Sequence, residues 1–195
     1  MSGNLVLYEN HILDHFEFPN LVEVGGELYV GKNTNLKSFS LPNLMTTQRF
    51  TVVNNENLET LDQQPLLETT HGVIVQNHAA LTHMDFPSLN EVAGTFFISS
   101  NALLADISAD ELATVTDAFE IQSNAALLHL SLPLSDVGGY FRIYNNALLE
   151  RITLEDLIYI GGDLVVAQNP NLPTCEVDAW VEELQNEGAV NGSID

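Results

Sequence analysis

One asparagine position recurs along the whole chain at intervals of 22 or 23 residues. His78 takes one of its eight places, and the other seven are Asn10, Asn33, Asn55, Asn101, Asn124, Asn146 and Asn169. Each copy has an aliphatic residue three positions before it and a leucine three positions after it. Such a period is typical of a solenoid, whose turns must stack because one turn cannot bury its apolar face alone. We therefore predict a single elongated domain over residues 1–195, with repeats from about residue 5 to residue 175.

Each repeat contains two short segments in which apolar and polar residues alternate, as in half-buried strands. In one turn the first segment is Leu28-Tyr29-Val30, and Asn33 follows at a corner. The second segment is Phe39-Ser40-Leu41, which Pro42 ends because proline cannot donate to a ladder. The pattern predicts a mainly β fold, a right-handed parallel β-solenoid of about eight turns. We call the stacked first segments the first sheet and the stacked second segments the second sheet.

The corners carry two further signals. An inward-pointing asparagine amide can bond backbone groups at a bend, and stacked copies can bond one another, so we interpret the asparagine column as structural. Glycine is expected to provide positive φ and close stacking where four turns end in small residues. Those turn ends are Val24-Gly25-Gly26, Val92-Ala93-Gly94, Val137-Gly138-Gly139 and Ile160-Gly161-Gly162.

The C-terminal segment departs from the repeat. Residues 178–187 are predicted to form a helix, with Asp178 as N-cap and Gly188 just past its end. Trp180, Val181 and Leu184 would share one face, so the helix is expected to act as a lid on the solenoid core. A polar, exposed tail is expected over 188–195, where Asn191-Gly192-Ser193 matches a glycosylation sequon.

Cys175 is the only cysteine, so no internal disulfide can form. It falls in the core column of Phe16 and Phe39, which favours a buried thiol; a bond to a cysteine beyond Asp195 is the alternative. The abrupt start and end of the repeats suggest a fragment of a longer protein.

Charge excludes some partners. The chain has 27 acidic against five basic residues, a net charge of −22, which argues against binding to nucleic acid or to anionic membranes. Nothing approaches the ~20 apolar residues of a membrane span, so no membrane insertion is expected. We interpret the acidic residues as a solvated surface, with divalent or basic partners as the alternative.

The string Leu-x-Leu-x-x-Asn begins like a leucine-rich repeat, but the next leucine follows asparagine by three positions rather than two, as in Asn101-Ala102-Leu103-Leu104. With the Leu-Pro and Val-Gly-Gly signals, this resembles the receptor L domain, the ligand-binding solenoid of insulin and epidermal growth factor receptors. Similar repeats occur in fungal cell-wall and bacterial surface proteins. The resemblance implies a non-enzymatic, extracellular or cell-surface module without cofactors. Because the receptor disulfides are absent, a microbial relative is favoured.

The outward face of the first sheet is unusually apolar. Alternation places two columns there, and the candidate binding surface within them is Tyr8, Tyr29, Val53, Ile74, Phe97 and Tyr144. Aromatic side chains on a rigid sheet are typical anchors for a protein or carbohydrate ligand. Self-association or cover by neighbouring parts of a longer chain would also explain the patch. Glu120 and Arg142, on adjacent strands, are expected to form an ion pair.

The outward face of the second sheet is polar. Its columns are His15, Ser38, Thr60, His83, Asp106, His129, Arg151, Thr174 and Glu17, Ser40, Asp62, Asp85, Ser108, Ser131, Thr153, Glu176. His83, Asp106 and His129 are the one constellation that could hold a metal or form a hydrolytic site. Two turns separate the histidines by roughly 10 Å, too far for ligands of one ion. We predict a stabilising charge ladder there, and no metal site, catalytic centre or enzyme activity.

These patterns favour a recognition module that binds a protein or carbohydrate through the first sheet. The alternative is a structural or adhesive spacer, or a self-associating segment, in a larger surface protein. A polysaccharide-cleaving β-helix enzyme is disfavoured, because the apolar face carries only Glu120 and Arg142 as charged groups.

Overall fold

The computed structural model describes residues 1–62, 65–154 and 156–194, and for Glu176 only the backbone. The described residues form nineteen strands and one helix. In chain order these are β1 Leu5–Tyr8, β2 His15–Glu17, β3 Glu23–Gly31, β4 Ser38–Ser40, β5 Thr46–Val53, β6 Thr60–Asp62, β7 Glu68–Gln76, β8 His83–Asp85, β9 Glu91–Val92, β10 Thr95–Ser99, β11 Asp106–Ser108, β12 Thr114–Val115, β13 Phe119–Gln122, β14 His129–Ser131, β15 Asp136–Val137, β16 Phe141–Tyr144, β17 Arg151–Thr153, β18 Tyr159–Ile160, β19 Leu164–Ala167 and α1 Thr174–Glu187.

The strands wind into a parallel β-solenoid of about seven turns. Strands β1, β3, β5, β7, β10, β13, β16 and β19 stack in that order as the first sheet. The short strands β2, β4, β6, β8, β11, β14 and β17 form the second sheet, hydrogen-bonded in three groups. The predicted parallel β-solenoid is therefore confirmed, with about seven turns where about eight were predicted.

A third side completes each turn, where the sequence had indicated only a corner. It consists of the first residues of β3, β5 and β7 together with β9, β12, β15 and β18. Because β3, β5 and β7 run through the corner, the first and third sides belong to one twelve-stranded sheet. The register shifts between Val24 and Glu27, where β3 turns that corner.

The core is a continuous column of apolar side chains. Its inward residues in one turn, Leu28, Val30 and Leu36, are fully buried. Under the first sheet the rings of Phe96, Phe119 and Phe141 stack with centroids 5.4 and 5.0 Å apart. Repetition at one position thus produces aromatic stacking along the solenoid axis.

Buried asparagines bond successive turns at the corner after the first sheet. Asn33 Oδ1 accepts a bond from the Asn10 backbone N–H at 3.0 Å, and Asn33 Nδ2 donates to the Leu7 carbonyl at 3.0 Å. The same two bonds recur at Asn55, Asn101, Asn124, Asn146 and Asn169. Each asparagine side chain bonds one backbone N–H and one backbone carbonyl, and both of these groups lie in the preceding turn. The column therefore joins neighbouring turns.

The residue before each ladder position adopts the left-handed conformation, with φ between 53° and 61°. These residues are Glu9, Lys32, Asn54, Asn77, Ser100, Ser123, Asn145 and Gln168. This left-handed position was not predicted from the sequence, although asparagine, which tolerates positive φ, holds three of the eight positions and was an available signal. Asn77 Nδ2 also donates to Asn54 Oδ1 at 3.1 Å, which adds an exposed bond between turns.

The prediction of positive φ at the glycine corners is wrong. Only Gly72 and Gly188 have positive φ among the described glycines. The close stacking expected there is found, since a Cβ on Gly138 would collide with the Thr116 carbonyl oxygen and one on Gly161 with that of Gly138. These corners contain glycine because backbones of successive turns approach closely.

The helix starts one turn earlier than predicted. Its N-cap is Pro173, without a side-chain cap bond, rather than Asp178; Gly188 ends it with φ of 68°, as expected. Cys175 therefore lies exposed on α1, and its predicted burial is wrong. Thr174 and Glu176, assigned to the second sheet, are likewise helical, and the side chain of Glu176 lies outside the described residues. Proline at residue 173 breaks the strand pattern and permits a helix to begin.

The lid prediction is confirmed. Leu184 is buried against the core, with Trp180 and Val181 packed beside it, and the Trp180 ring lies 5.9 Å from that of Phe141. The expected free tail is instead attached to the last turn, through bridges from Val190 to Ile160 and from Ile194 to Leu164. The last residue of that tail, Asp195, lies outside the described part of the chain.

Candidate functional site

Strand register defines the outward face of the first sheet. One column is Val6, Tyr29, Thr51, Ile74, Phe97, Glu120, Arg142 and Val165. Beside it runs Tyr8, Gly31, Val53, Gln76, Ser99, Gln122, Tyr144 and Ala167. These are the columns that alternation predicted. The structure thus brings all six candidate binding residues to one face.

Exposure differs among those six residues. Tyr8 is exposed, and Tyr29, Ile74, Phe97 and Tyr144 are half-buried. Ile74 and Phe97 are direct register partners on neighbouring strands. Val53 is only 8% exposed, so it contributes little contact surface. The contact surface is therefore made by the five larger side chains.

At the N-terminal end of this face, two tyrosines form a cluster. The Tyr8 and Tyr29 rings lie 6.0 Å apart at 52°, and a Cβ on Gly31 would collide with the Tyr29 ring. Glycine at residue 31 thus allows the Tyr29 ring to lie across the sheet. Lys32 Nζ lies 5.1 Å from the Tyr8 centroid and 3.5 Å from Glu9 Oε1. Burial raises the pKa of Tyr29, so this phenol stays neutral to a higher pH than an exposed tyrosine does.

A polar cluster lies farther along the same face. Glu120 is only 7% exposed, and its Oε2 accepts a bond from the Tyr140 hydroxyl at 2.9 Å. The Arg142 guanidinium carbon lies 4.2 Å from the Tyr140 centroid, a cation–π contact. Burial raises the pKa of Tyr140, and the bond to Glu120 raises it further. Tyr140 therefore joins Glu120 to Arg142.

The predicted salt bridge between Glu120 and Arg142 is wrong. The two residues are register partners, but no salt bridge joins them in the described part of the chain. Tyr140 offers both a phenol donor and a ring face, so each charged group is satisfied by the same side chain. Tyr140 was not among the predicted site residues, although its position two residues before Arg142 puts it on the outward side of the same strand end.

The first sheet is also the least acidic side of the molecule. Lys32, Arg49 and Arg142, three of the five basic residues, lie on or beside it. On the third side, by contrast, Glu68 and Glu91 are direct register partners. On the second sheet, Asp62 and Asp85 are partners as well. A ligand approaching the first sheet therefore meets less negative charge than elsewhere.

On the second sheet, His83 lies between two carboxylates. Its Nδ1 is 2.9 Å from Asp106 Oδ2, and its Nε2 is 3.8 Å from Asp62 Oδ1. The His83 and Asp106 side chains are 39% and 61% exposed, so solvent screens the pair and it contributes at most about 1 kcal/mol. His129 lies in a separate pair of strands beside Arg151. Among the described residues, no group of three His, Cys, Asp or Glu side chains could hold a metal ion.

In comparisons with known proteins, no family model, curated sequence or solved structure matches this chain. Within the described residues, no helix has the length and apolar character needed to cross a membrane.

Proposed function

We propose that this solenoid is a non-enzymatic recognition module that binds a protein or carbohydrate ligand through the outward face of the first sheet. The observation that carries the proposal is the row Tyr8, Tyr29, Ile74, Phe97 and Tyr144 on the outward face of one parallel sheet, in which Ile74 and Phe97 are direct register partners. The resemblance to receptor L domains supports the same role and a place outside the cell or at its surface.

A rigid sheet gives this row a binding advantage. Tyr8 projects from the edge strand β1, and the other four side chains project from strands that are hydrogen-bonded on both sides, so little conformational entropy is lost when a ligand binds there. Tyrosine combines a large apolar ring with a hydroxyl group, which suits both protein anchors and sugar rings. The Tyr140–Glu120 and Tyr140–Arg142 contacts add polar groups with defined positions near that row.

The test is a double variant, Tyr29→Ser with Phe97→Ser. Its ligand binding is compared with that of wild type on a glycan array and on an array of secreted and surface protein domains. Its self-association is compared by sedimentation. Ligands that bind wild type should bind the double variant about tenfold more weakly or worse, since two large contact residues are lost. The thermal midpoint should change little, because both side chains point away from the core.

The matched control is Leu103→Ser with Leu148→Ser, which removes two exposed apolar side chains outside the first sheet. These residues are 52% and 45% exposed at the corner after it. The proposal fails if both double variants weaken binding equally, or if the wild-type protein binds nothing on either array. Self-association abolished by the first double variant alone would identify the face as a contact between copies instead.

A further inference from the structure

The apolar core is open to solvent at the N-terminal end of the solenoid. Four core positions of the second turn are at most 1% exposed: Leu28, Val30, Leu36 and Leu44. The same positions of the first turn are only partly buried, and their residues are Leu5, Leu7, Leu13 and Leu21. A hollow of about 380 Å³ lies at this end and is lined by Met1, Leu5, Phe18, Pro19, Asn20 and Leu21. At the opposite end α1 covers the core, so in the described part of the chain only the N-terminal end is uncovered.

The first sheet ends at β1 with backbone groups that have no partner strand. Among the described strands, β1 pairs with β3 alone. In one outward column of this sheet each carbonyl oxygen accepts a bond from the turn before it, as Gly31 does from the Glu9 N–H at 3.2 Å, and the bond repeats up to Ala167. Tyr8 is the first member of that column, so its carbonyl faces the open edge. The Tyr8 N–H and both backbone groups of Val6 face the same way, because alternate residues of a parallel strand bond to opposite neighbours.

This edge is within reach of a partner. Val6 and Tyr8 are 56% and 41% exposed. The residues before β1 bond forward to the second turn, as Asn4 Oδ1 does by accepting from the Glu27 N–H at 2.9 Å, so they do not lie across the edge. Asn10 Nδ2 lies 3.4 Å from the Tyr8 carbonyl oxygen, which keeps a second lone pair for another donor.

Strand β1 also lacks the features that usually keep a sheet edge unpaired. Its sequence, Leu5-Val6-Leu7-Tyr8, contains no charged residue and no proline, and its register with β3 is unbroken. The solenoid is least acidic at this end as well. Residues 1–50 contain five acidic and three basic residues, a net charge of −2, whereas residues 146–195 contain ten acidic and one basic residue, a net charge of −9. Two N-terminal ends therefore meet with less repulsion than any other pair of ends.

We propose that two copies of this chain associate head to head through antiparallel pairing of their β1 strands. Val6 of each copy exchanges both backbone bonds with Tyr8 of the other, which gives four bonds around a twofold axis near Leu7. The two Leu7 side chains then meet, and the open cores cover one another. Because α1 covers the opposite end, the contact closes as a dimer and does not extend into a filament.

The N-terminal end is large enough for such a contact. A turn contains 22 or 23 residues, and a standard interface uses about 20–30 residues on each side and buries ~800 Å² per partner. Of the twelve exposed large apolar side chains among the described residues, six lie in the first turn: Met1, Val6, Tyr8, Ile12, Phe18 and Val22. Since one turn reaches only the lower part of the standard range, we expect a dissociation constant in the micromolar range.

The dimer would join the two first sheets into one. Side chains opposite each other in an antiparallel pair share a face, so the outward faces of both copies lie on the same side. A ligand with repeated epitopes could then engage both copies at once. The dimer itself does not depend on the function proposed for that face.

The first test is sedimentation equilibrium of the whole chain over a range of concentrations. Wild type should dimerise, and Val6→Pro should raise the dissociation constant at least about tenfold, because proline removes a donor of the open edge. The bonds from β1 to β3 do not use that N–H, so the variant should keep its fold. The control, Ile74→Ser with Phe97→Ser, changes the outward face away from β1 and should dimerise like wild type.

The second test is disulfide trapping in a Cys175→Ser background. Leu7→Cys places a thiol next to its copy at the twofold axis and should give a covalent dimer under mild oxidation. Leu103→Cys is the control, since Leu103 is 52% exposed but lies far along the stack, and it should stay monomeric. A monomer at every concentration, a dimer that Val6→Pro leaves unchanged, or trapping of Leu103→Cys in place of Leu7→Cys would each overturn the proposal. Loss of the dimer in the Ile74/Phe97 variant alone would overturn it too, and would place the contact on the outward face.

Discussion

The His78 ring bonds Asn55 in the way that an asparagine side chain does in the other turns. His78 Nδ1 lies 3.3 Å from the Asn55 nitrogen, and Nε2 lies 3.0 Å from the Val52 carbonyl oxygen. A neutral ring with its proton on Nε2 accepts from the first group and donates to the second, which reproduces both roles of the amide. Nδ1 also lies 3.0 Å from the Asn55 carbonyl oxygen, but donating to it would leave the Asn55 N–H without this acceptor.

Stability should therefore fall in mild acid because of His78. Burial lowers the pKa of this ring in the folded state, whereas the unfolded chain has the usual histidine pKa near ~6.5. Below that pH the unfolded state binds a proton more readily, so the free energy of unfolding decreases by up to about 1.4 kcal/mol per pH unit until the folded pKa is reached.

The measurement is the thermal midpoint of wild type and of His78→Asn at pH 7.5 and pH 5.5. These values lie roughly one unit either side of the usual histidine pKa of ~6.5. Asparagine restores the uniform column and does not titrate, so the variant should lose less stability on acidification. Both proteins share every other titrating group, which makes the difference specific to His78. Equal losses in the two proteins would contradict this account.

The asparagine column should be essential for stability rather than for binding. Asn101→Ala or Asn124→Ala removes a fully buried amide and leaves its backbone partners unpaired, at a cost of about 1–3 kcal/mol in the free energy of unfolding. Asn10→Ala is the control, since Asn10 is exposed at the end of the column and water can replace its bonds. Chemical denaturation of all three variants tests this, and equal stability throughout would refute the ladder's role.

Zinc should find no dedicated site on the second sheet. His83 is already paired with Asp106, and His129 belongs to a separate pair of strands, so their rings cannot converge on one ion. Calorimetric titration with zinc should give the same weak affinity for wild type and His129→Ala. A sub-micromolar affinity that the substitution abolishes, at roughly the strength of a true three-ligand site, would show that the sheet rearranges to bind metal.

The Cys175 thiol should react in the native protein. It is exposed on α1, so an aromatic disulfide reagent should modify it without denaturant, about as fast as in the unfolded chain. Cys175→Ser is the blank, because no other cysteine is present. A thiol that reacts only after unfolding would mean that the residue lies in the core, as its column in the repeat suggested.

Much of the fold could be predicted because one period controls several properties together. Placing Leu28 and Val30 inside forces Tyr29 outside, and the same choice repeats in every turn. The register of the first-sheet columns, and with it the position of Tyr29 beside Thr51, follows from that alternation alone. The third side was missed because its two-residue strands are too short to show any periodicity.

At the candidate site, the sequence predicted which residues share a face but not how they interact. The contact of Arg142 with Tyr140 instead of Glu120 depends on side-chain rotamers that register does not specify. Val53 was assigned to the surface by its position, yet it is only 8% exposed, because alternation specifies the face of a residue and not its exposed area.

The sequence by itself determined the repeating unit, its inward and outward faces and the presence of a terminal lid, because apolar spacing reports directly on burial. Only the tertiary structure decided where α1 begins and how residues 188–194 attach to the last turn. At that end the repeat no longer constrains the chain, so local helix signals compete with strand pairing. Packing of Trp180 and Leu184 on the apolar core at the end of the stack decides the competition in favour of the helix.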